Sequence, residues 1–150
     1  MPTFLLKTEP GEYSYDDLVR EKRCAWTGVT NAAARIALRA MKKGDEAFIY
    51  HTGEEKAIVG LATVVRGAYE DPDEPGLNGK GEIAAPVVDL APARRAASPV
   101  TLAQMKGDPR FAAFALVRQG RLSAMPVPPE LDAVIRSLAG LEAARGAARH

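Results

Sequence analysis

Apolar positions along the chain fall into short runs that turn-forming residues separate. Runs with strand character, bounded by Pro, Gly or acidic residues, predict strands over residues 3–7, 46–51, 57–69, 83–90 and 114–118. Capping residues and helical spacing predict helices over residues 15–22, 32–41, 101–106 and from residue 129 onward. The third strand is apolar on both faces, which is typical of a strand covered from both sides. These elements predict an α+β fold, a small mixed β-barrel with helices packed around it.

The remaining segments carry turn chemistry and are predicted as loops. They are the stretch 24–30, the acidic and Pro/Gly-rich stretch 71–80, and a connector over residues 92–99. The sequence shows no internal repeat. We therefore expect one domain over residues 1–142, followed by a flexible, Ala- and Arg-rich tail over residues 143–150.

Composition and charge narrow the functional classes. The 150 residues include 20 Lys and Arg against 19 Asp and Glu, so the net charge is only +1. Binding to nucleic acid would therefore need a local basic patch. The single Cys excludes an internal disulfide, and no apolar run approaches the ~20 residues of a membrane helix. Since the first residues lack the pattern of a signal peptide, a cytoplasmic protein without membrane association is expected.

Residues suited to metal or covalent chemistry are sparse. Cys24, His51 and His150 have no paired ligand spacing, and no glycine-rich phosphate motif is present, so neither a metal nor a cofactor is expected. Cys24 and His51 could form a nucleophile–base pair, but no acidic residue stands at a recognisable position to orient the imidazole. A lone Cys next to apolar neighbours is more often a packing residue.

The only Trp of the chain, Trp26, falls in the predicted loop, with Gly28 two residues later. In that position it could offer a flat face on which a nucleobase stacks. It could equally close the end of the barrel, and placement alone leaves both interpretations open.

The helix predicted after this loop begins at Asn31, a residue type that caps helices well. Arg35, Arg39 and Lys42 recur at a spacing that places them on one helix face. That face is either a surface that contacts phosphates or a solvated face without a ligand, and taken alone the second is the more frequent case.

Polar side chains stand at or after the ends of several predicted strands. The first strand ends at Lys7, Thr8 and Glu9, and the second at His51 and Thr52. Arg121 and Ser123 follow the strand predicted over residues 114–118. If these strand ends meet beside an aromatic wall, they supply donors and acceptors that can read the edge of a base.

Several segments together resemble EVE-domain proteins in order and spacing. They are residues 4–10 (Phe-Leu-Leu-Lys-Thr-Glu-Pro), 26–31 (Trp-Thr-Gly-Val-Thr-Asn), 41–45 (Met-Lys-Lys-Gly-Asp), 50–52 (Tyr-His-Thr) and 117–123 (Val-Arg-Gln-Gly-Arg-Leu-Ser). The resemblance runs from about residue 3 to residue 138. It implies a PUA-like fold related to YTH domains and a role in recognising modified nucleobases in DNA or RNA.

The resemblance also implies roles for individual residues. Trp26 would be the wall on which the base stacks, and the pocket around it would be lined by Gly28, Val29, Thr30 and Asn31. A polar rim would be formed by Lys7, Thr8, His51, Thr52 and Ser123, and the phosphates would be faced by Arg35, Arg39, Lys42 and Arg121. One departure stands inside the pocket motif, because Thr30 replaces the Arg that is usual in the family.

Three functions remain open at this stage. The favoured one is a monomeric, non-enzymatic binding module for a modified base in DNA or RNA, such as a modified cytosine or methylated adenine. The alternatives are an enzyme that acts on a nucleoside-like molecule, with Cys24, His51 and Glu9 as candidates, and a non-catalytic partner protein that only retains the fold.

Overall fold

The structure, a computed structural model, describes residues 2–141 of the chain. Its strands are β1 (Thr3–Thr8), β2 (Cys24–Trp26), β3 (Glu46–His51), β4 (Ala57–Glu70), β5 (Pro86–Thr101) and β6 (Ala124–Val127). Its helices are α1 (Tyr15–Glu21), α2 (Ala32–Ala40), α3 (Leu102–Lys106), α4 (Ala115–Arg118) and α5 (Pro129–Ala139), with a 3₁₀ turn at Pro109–Phe111. No helix within this range is long and apolar enough to cross a membrane. The tail predicted over residues 143–150 lies outside the described residues.

Six strands form one mixed sheet in the order β2-β5-β4-β3-β1-β6. The strand β1 runs parallel to β3, and the other neighbouring pairs are antiparallel. The predicted α+β fold is confirmed, but the term barrel applies only loosely. Closure would require the edge strands β2 and β6 to pair, and within residues 2–141 β2 pairs only with β5 and β6 only with β1.

The two longest strands, β4 and β5, form an irregular hairpin near the middle of the sheet. Their pairing shifts register four times, and such bulges bend a strand and raise its twist. The prediction of a connector over residues 92–99 is wrong, because these residues belong to β5. Pro92 is accommodated since it pairs with Ala62 beside one of the register shifts.

Two further short segments differ from the prediction. Residues 24–26, predicted as part of a loop, form β2 along the outer edge of β5. Residues 115–118, predicted within a strand, form the helix α4, and the strand β6 follows after them. The side chains of Phe114 and Leu116 are buried, as a strand over these residues would also require. A run of apolar residues this short does not distinguish helical from strand periodicity.

Local capping chemistry predicted the better-defined helices correctly. At α1, Ser14 and Asp17 exchange side-chain and backbone hydrogen bonds in a capping box. At α2, the side chain of Asn31 accepts from the backbone N–H of Ala34 at 3.0 Å. Pro129 is the first residue of α5, a position where its missing N–H has no cost.

A set of contacts that we call the Tyr15 anchor ties α1 to the centre of the sheet. The Tyr15 hydroxyl donates to the carbonyl of Leu61 at 2.8 Å, and the Tyr15 backbone N–H donates to Nε2 of His51 at 3.0 Å. The ring lies so close to Gly60 that a Cβ there would be 2.5 Å from a ring carbon. Position 60 therefore requires glycine for packing reasons.

A buried cation connects α5 to the first and third strands. The side chain of Arg136 is 5% exposed, and its guanidinium contacts Glu46 at 2.6 Å and Asp132 at 2.7 Å. Asp132 in turn accepts from the hydroxyl of Thr3 at 2.8 Å. Because both carboxylates are partly exposed, water can rehydrate them in part if the guanidinium is removed.

We expect the substitution Arg136→Ala to lower the free energy of unfolding by about 2–4 kcal/mol, because it leaves two carboxylates without their buried partner. Chemical denaturation of both proteins measures this difference. The control is Arg118→Ala, which changes an exposed Arg on α4 and should alter stability by no more than about 0.5 kcal/mol. An Arg136 variant as stable as this control would contradict the role assigned to the network.

Candidate functional site

A cleft of about 350 Å³ opens at one end of the sheet. Four segments line it: the end of β1, the turn between β1 and α1, the strand β2 with the loop that follows, and the residue before β6. The lining residues are Lys7, Thr8, Glu9, Glu12, Tyr13, Cys24, Ala25, Trp26, Thr27, Gly28, Val29 and Ser123. The volume lies at the lower end of the range that small-molecule sites occupy.

The aromatic wall of the cleft consists of Trp26 and Tyr13. Their ring centroids are 6.0 Å apart at an interplanar angle of 83°, which is an edge-to-face contact. Trp26 pairs with Val88 and is the last residue of the short strand β2. The prediction that it lies in a loop is therefore wrong. The side chain is 8% exposed, and it therefore packs into the core while its remaining surface lines the cleft.

The loop after Trp26 borders the cleft with its backbone. Gly28 has a φ of +80°, a conformation that favours glycine, and a Cβ there would meet no atom within 4 Å. Within residues 2–141, the N–H groups of Thr27, Gly28 and Val29 donate to no other residue. These donors are available to a ligand at the edge of the cleft.

The cationic part of the lining is Lys7 at the end of β1. Its ammonium group donates to the carbonyl of Gly120 at 2.9 Å and lies 5.7 Å from the centre of the Tyr50 ring. Burial lowers the pKa of Lys7. The backbone N–H of Lys7 also donates to the carbonyl of Ser123, which brings the Ser123 side chain to the same cleft.

Two carboxylates, those of Glu9 and Glu12, belong to the residues that line the cleft. Glu9 is engaged, because one of its oxygens accepts from the N–H of Gly11 at 3.0 Å and the other from the hydroxyl of Thr52 at 3.3 Å. Glu12 and Tyr13 were not predicted as site residues. Their position depends on the turn between β1 and α1, and sequence spacing did not show that this turn folds over β2.

Four of the predicted pocket residues do not line the cleft. Both ring nitrogens of His51 are engaged, with the N–H of Tyr15 and with Glu55 at 2.7 Å. The other three are Thr52, which contacts Thr8 and Glu9, Asn31, which caps α2, and Thr30, which borders a neighbouring groove. By contrast, the structure brings together Lys7, Thr8, Trp26, Gly28, Val29 and Ser123.

A family model described as the EVE domain matches residues 3–138 of the chain. This chain belongs to the EVE domain family. Human thymocyte nuclear protein 1 is 40% identical to it over 80 residues, which are 45% of this chain and 36% of the human protein. The match thus spans about a third of the length of that curated relative.

Solved structures extend the similarity over nearly the whole EVE domain. The protein Rpa0253 from Rhodopseudomonas palustris is 38% identical, with a TM-score of 0.83 over 94% of both chains. The human THYN1 protein, in complex with DNA that contains 5-methylcytosine, is 28% identical, with a TM-score of 0.83 over 93% of this chain and 98% of that one.

In this EVE domain, the arginines of α2 are engaged inside the protein. Nε of Arg35 donates to the carbonyl of Val29 at 2.8 Å, and its other nitrogens reach the carbonyl of Ala84 and the carboxylate of Glu74. Arg39 donates to the carbonyls of Ile83 and Ala84. Both side chains therefore hold the loop between β4 and β5 against α2, and neither lines the cleft.

The other two predicted phosphate ligands have exposed side chains. Lys42 follows α2, and Arg121 lies two residues before Ser123, next to the cleft. In the described part of the chain neither side chain makes a hydrogen bond or an ion pair with another residue. The side chain of Arg121 is thus available to a phosphate that lies beside the cleft.

Cys24 lines the cleft, but its surroundings do not activate it. Burial raises the pKa of the Cys24 thiol, and the carboxylates of Glu21 and Asp89 raise it further, against the opposing effect of Tyr13. The raised pKa keeps the sulfur in its poorly nucleophilic thiol form. Nor does His51 act as its base, since both of its ring nitrogens are engaged elsewhere.

The substitution Arg35→Met should loosen the loop between β4 and β5. It removes the guanidinium group to which the carbonyl of Ala84 and the carboxylate of Glu74 in this loop are bound. We expect amide hydrogen exchange in residues 71–85 to accelerate by about tenfold or more, which corresponds to the loss of one or two charge-assisted hydrogen bonds. The control variant Lys42→Met removes an exposed cation and should leave exchange unchanged. Equal protection in the two variants would show that Arg35 does not hold the loop.

Alkylation of Cys24 tests the state of its thiol. Because its pKa is raised, less thiolate is present at a given pH, and iodoacetamide at about pH 8 should react more slowly than with a cysteine in an unstructured peptide. The rate should continue to increase at pH values where the peptide has already reached its plateau. A faster reaction than that of the peptide would indicate an activated nucleophile.

Proposed function

We propose that this EVE domain is a binding module for DNA that carries a modified base, and that the cleft beside Trp26 takes up that base. The observation that carries the proposal is the composition of the cleft: an aromatic wall, free backbone donors and a small set of polar side chains. Such a combination suits a flat heterocycle with hydrogen-bonding edges. Support also comes from the human THYN1 protein, whose complex contains 5-methylcytosine DNA.

The charge of the cleft supports a base rather than a phosphate as its occupant. One cation, Lys7, faces two carboxylates, Glu9 and Glu12, so the lining is negative on balance. A phosphate group would be repelled there, whereas a neutral base would not. The backbone of the DNA would instead pass the exposed side chain of Arg121 beside the cleft.

The energetics of such a complex are modest. Stacking of a base on an aromatic side chain contributes about 1–3 kcal/mol. In a duplex the base must first leave the helix, at a cost of a few kcal/mol. We therefore expect tighter binding to single strands or to mismatched positions than to an intact duplex.

The arrangement of Cys24 and His51 gives no support to the alternative of a nucleoside-directed enzyme. The first carries a thiol with a raised pKa, and the second is bound to Tyr15 and Glu55. Catalysis through either would require these contacts to be replaced. Binding without chemical change is the function that the geometry supports best.

The single Trp allows a direct test by fluorescence titration. Single-stranded oligonucleotides with one 5-methylcytosine should quench Trp26 at low salt more strongly, and at lower concentration, than the same sequence with cytosine. A titration with RNA of the same sequence shows whether binding depends on the sugar of the nucleic acid. Equal titrations with the modified and the unmodified DNA would contradict the proposal.

Removing the aromatic wall should weaken binding of the modified oligonucleotide by about 5- to 150-fold, the equivalent of one stacking contact. Two variants test this, Trp26→Leu, which retains apolar bulk in the core, and Tyr13→Leu, which leaves Trp26 in place. Fluorescence anisotropy of a labelled oligonucleotide measures both, with Arg118→Ala as the surface control. Unchanged affinity in two folded variants would place the base elsewhere.

A further inference from the structure

The position of Glu12 in the cleft is fixed by the turn that precedes α1. The backbone N–H groups of Glu12 and Tyr13 both donate to the carbonyl of Glu9, at 2.9 and 2.8 Å. The hydroxyl of Thr8 donates to the carbonyl of Tyr13 at 2.6 Å and closes the turn from the other side. The backbone at Glu12, which lines the cleft, is therefore held on both sides, so the site from which its side chain extends is fixed.

Glu12 differs from Glu9 in that its carboxylate is free. In the described part of the chain it accepts no hydrogen bond, whereas both oxygens of Glu9 are engaged by Gly11 and Thr52. An ionised carboxylate only accepts hydrogen bonds. Glu12 thus presents acceptors to whatever enters the cleft, and its natural complement is an N–H donor.

Lys7 presents the opposite property to the same cleft. An ammonium group has three donors and no acceptor, and one of the three goes to the carbonyl of Gly120. The others are available to acceptor atoms of a ligand. The cleft therefore combines a free acceptor group and a free donor group beside the aromatic wall of Trp26 and Tyr13.

We propose that Glu12 and Lys7 select a cytosine-type edge, with Glu12 accepting from the 4-amino group and Lys7 donating to N3 and O2. This inference rests on the proposed function and specifies which base the cleft admits. Cytosine carries an amino donor at position 4, which a Glu side chain can accept from. Thymine and uracil carry an oxygen at position 4 and a proton on N3. Their 4-oxo group would face the Glu12 carboxylate, an acceptor against an acceptor, and their N3–H would face the Lys7 ammonium, a donor against a donor.

The selection has a clear use in DNA. Thymine carries the same 5-methyl group as 5-methylcytosine, and both bases have a π-face that stacks on an aromatic side chain. A cleft that recognised only the methyl group and the ring face would bind every thymine in the genome. A carboxylate that rejects the 4-oxo group removes this competitor, which is discrimination by an unfavourable contact with the wrong ligand.

The experiment is a two-by-two comparison of four pyrimidines at one position of the same single-stranded oligonucleotide. Cytosine and 5-methylcytosine carry the 4-amino group, uracil and thymine the 4-oxo group, and one member of each pair carries the 5-methyl group. We expect the amino member to bind about 5- to 150-fold more tightly than the oxo member with the same substituent at position 5. The comparison of methylated with unmethylated members tests the proposed function separately.

The variant Glu12→Gln tests the assigned residue, because an amide has the shape of the carboxylate but can donate as well as accept. The amino-over-oxo preference should fall by about threefold or more in this variant, because Lys7 alone then opposes the 4-oxo bases. It should be unchanged in the control Glu130→Gln, an exposed Glu at the start of α5. Glu12 is exposed, so its substitution should not disturb folding.

Each other outcome overturns a distinct statement. A preference for methylated bases without an amino-over-oxo preference would refute the selection by Glu12 and Lys7 and leave the proposed function standing. An amino-over-oxo preference of unchanged size in Glu12→Gln would refute the role of Glu12. Equal binding of all four oligonucleotides would refute the inference and the proposed function together.

Discussion

The cleft depends on the way Tyr15 fixes the start of α1 against the centre of the sheet. Its ring lies on Gly60, its hydroxyl donates to Leu61, and its backbone N–H donates to the imidazole of His51. These contacts hold the chain on one side of the turn between β1 and α1, and the pairing of β1 with β3 holds it on the other. The wall that carries Tyr13 is therefore positioned by contacts made in the core. A binding site supported in this way is preorganised, so little conformational entropy is lost when a ligand enters.

The second wall is held by a separate set of contacts. Trp26 is fixed by the pairing of β2 with β5, and the loop after it ends at the Asn31 cap of α2. Arg35 reaches back to the carbonyl of Val29 and across to Ala84, so the same guanidinium orders this loop and the one between β4 and β5. A basic helix face such as this one can contact phosphates. Here its hydrogen-bonding capacity is used within the protein, and its effect on a ligand is through the shape of the cleft.

The parts of the structure that the sequence predicted are those that local chemistry decides. The Asn31 cap depends on residues within one turn of helix, and the strands β1 and β3 follow from their apolar runs. Of the predicted polar rim, Lys7, Thr8 and Ser123 line the cleft, because the parallel and antiparallel neighbours of β1 bring strand ends together. His51 does not line the cleft, because its side chain at the end of β3 points to the backbone of Tyr15. Which face a terminal residue presents depends on register, and no pattern within one strand reveals it.

The near-neutral charge of the chain also has a consequence for recognition. With a net charge of +1 and a cleft lining that is negative on balance, long-range attraction contributes little to any complex with DNA. In the complex proposed above, the affinity would then come from contacts made once the base is in place, which are short-ranged and sensitive to chemical structure. A strongly basic protein would gain most of its binding energy from phosphates and would bind unmodified DNA nearly as well. Weak electrostatic attraction is therefore an advantage for a protein that distinguishes one base from many similar ones, because the non-specific background stays low.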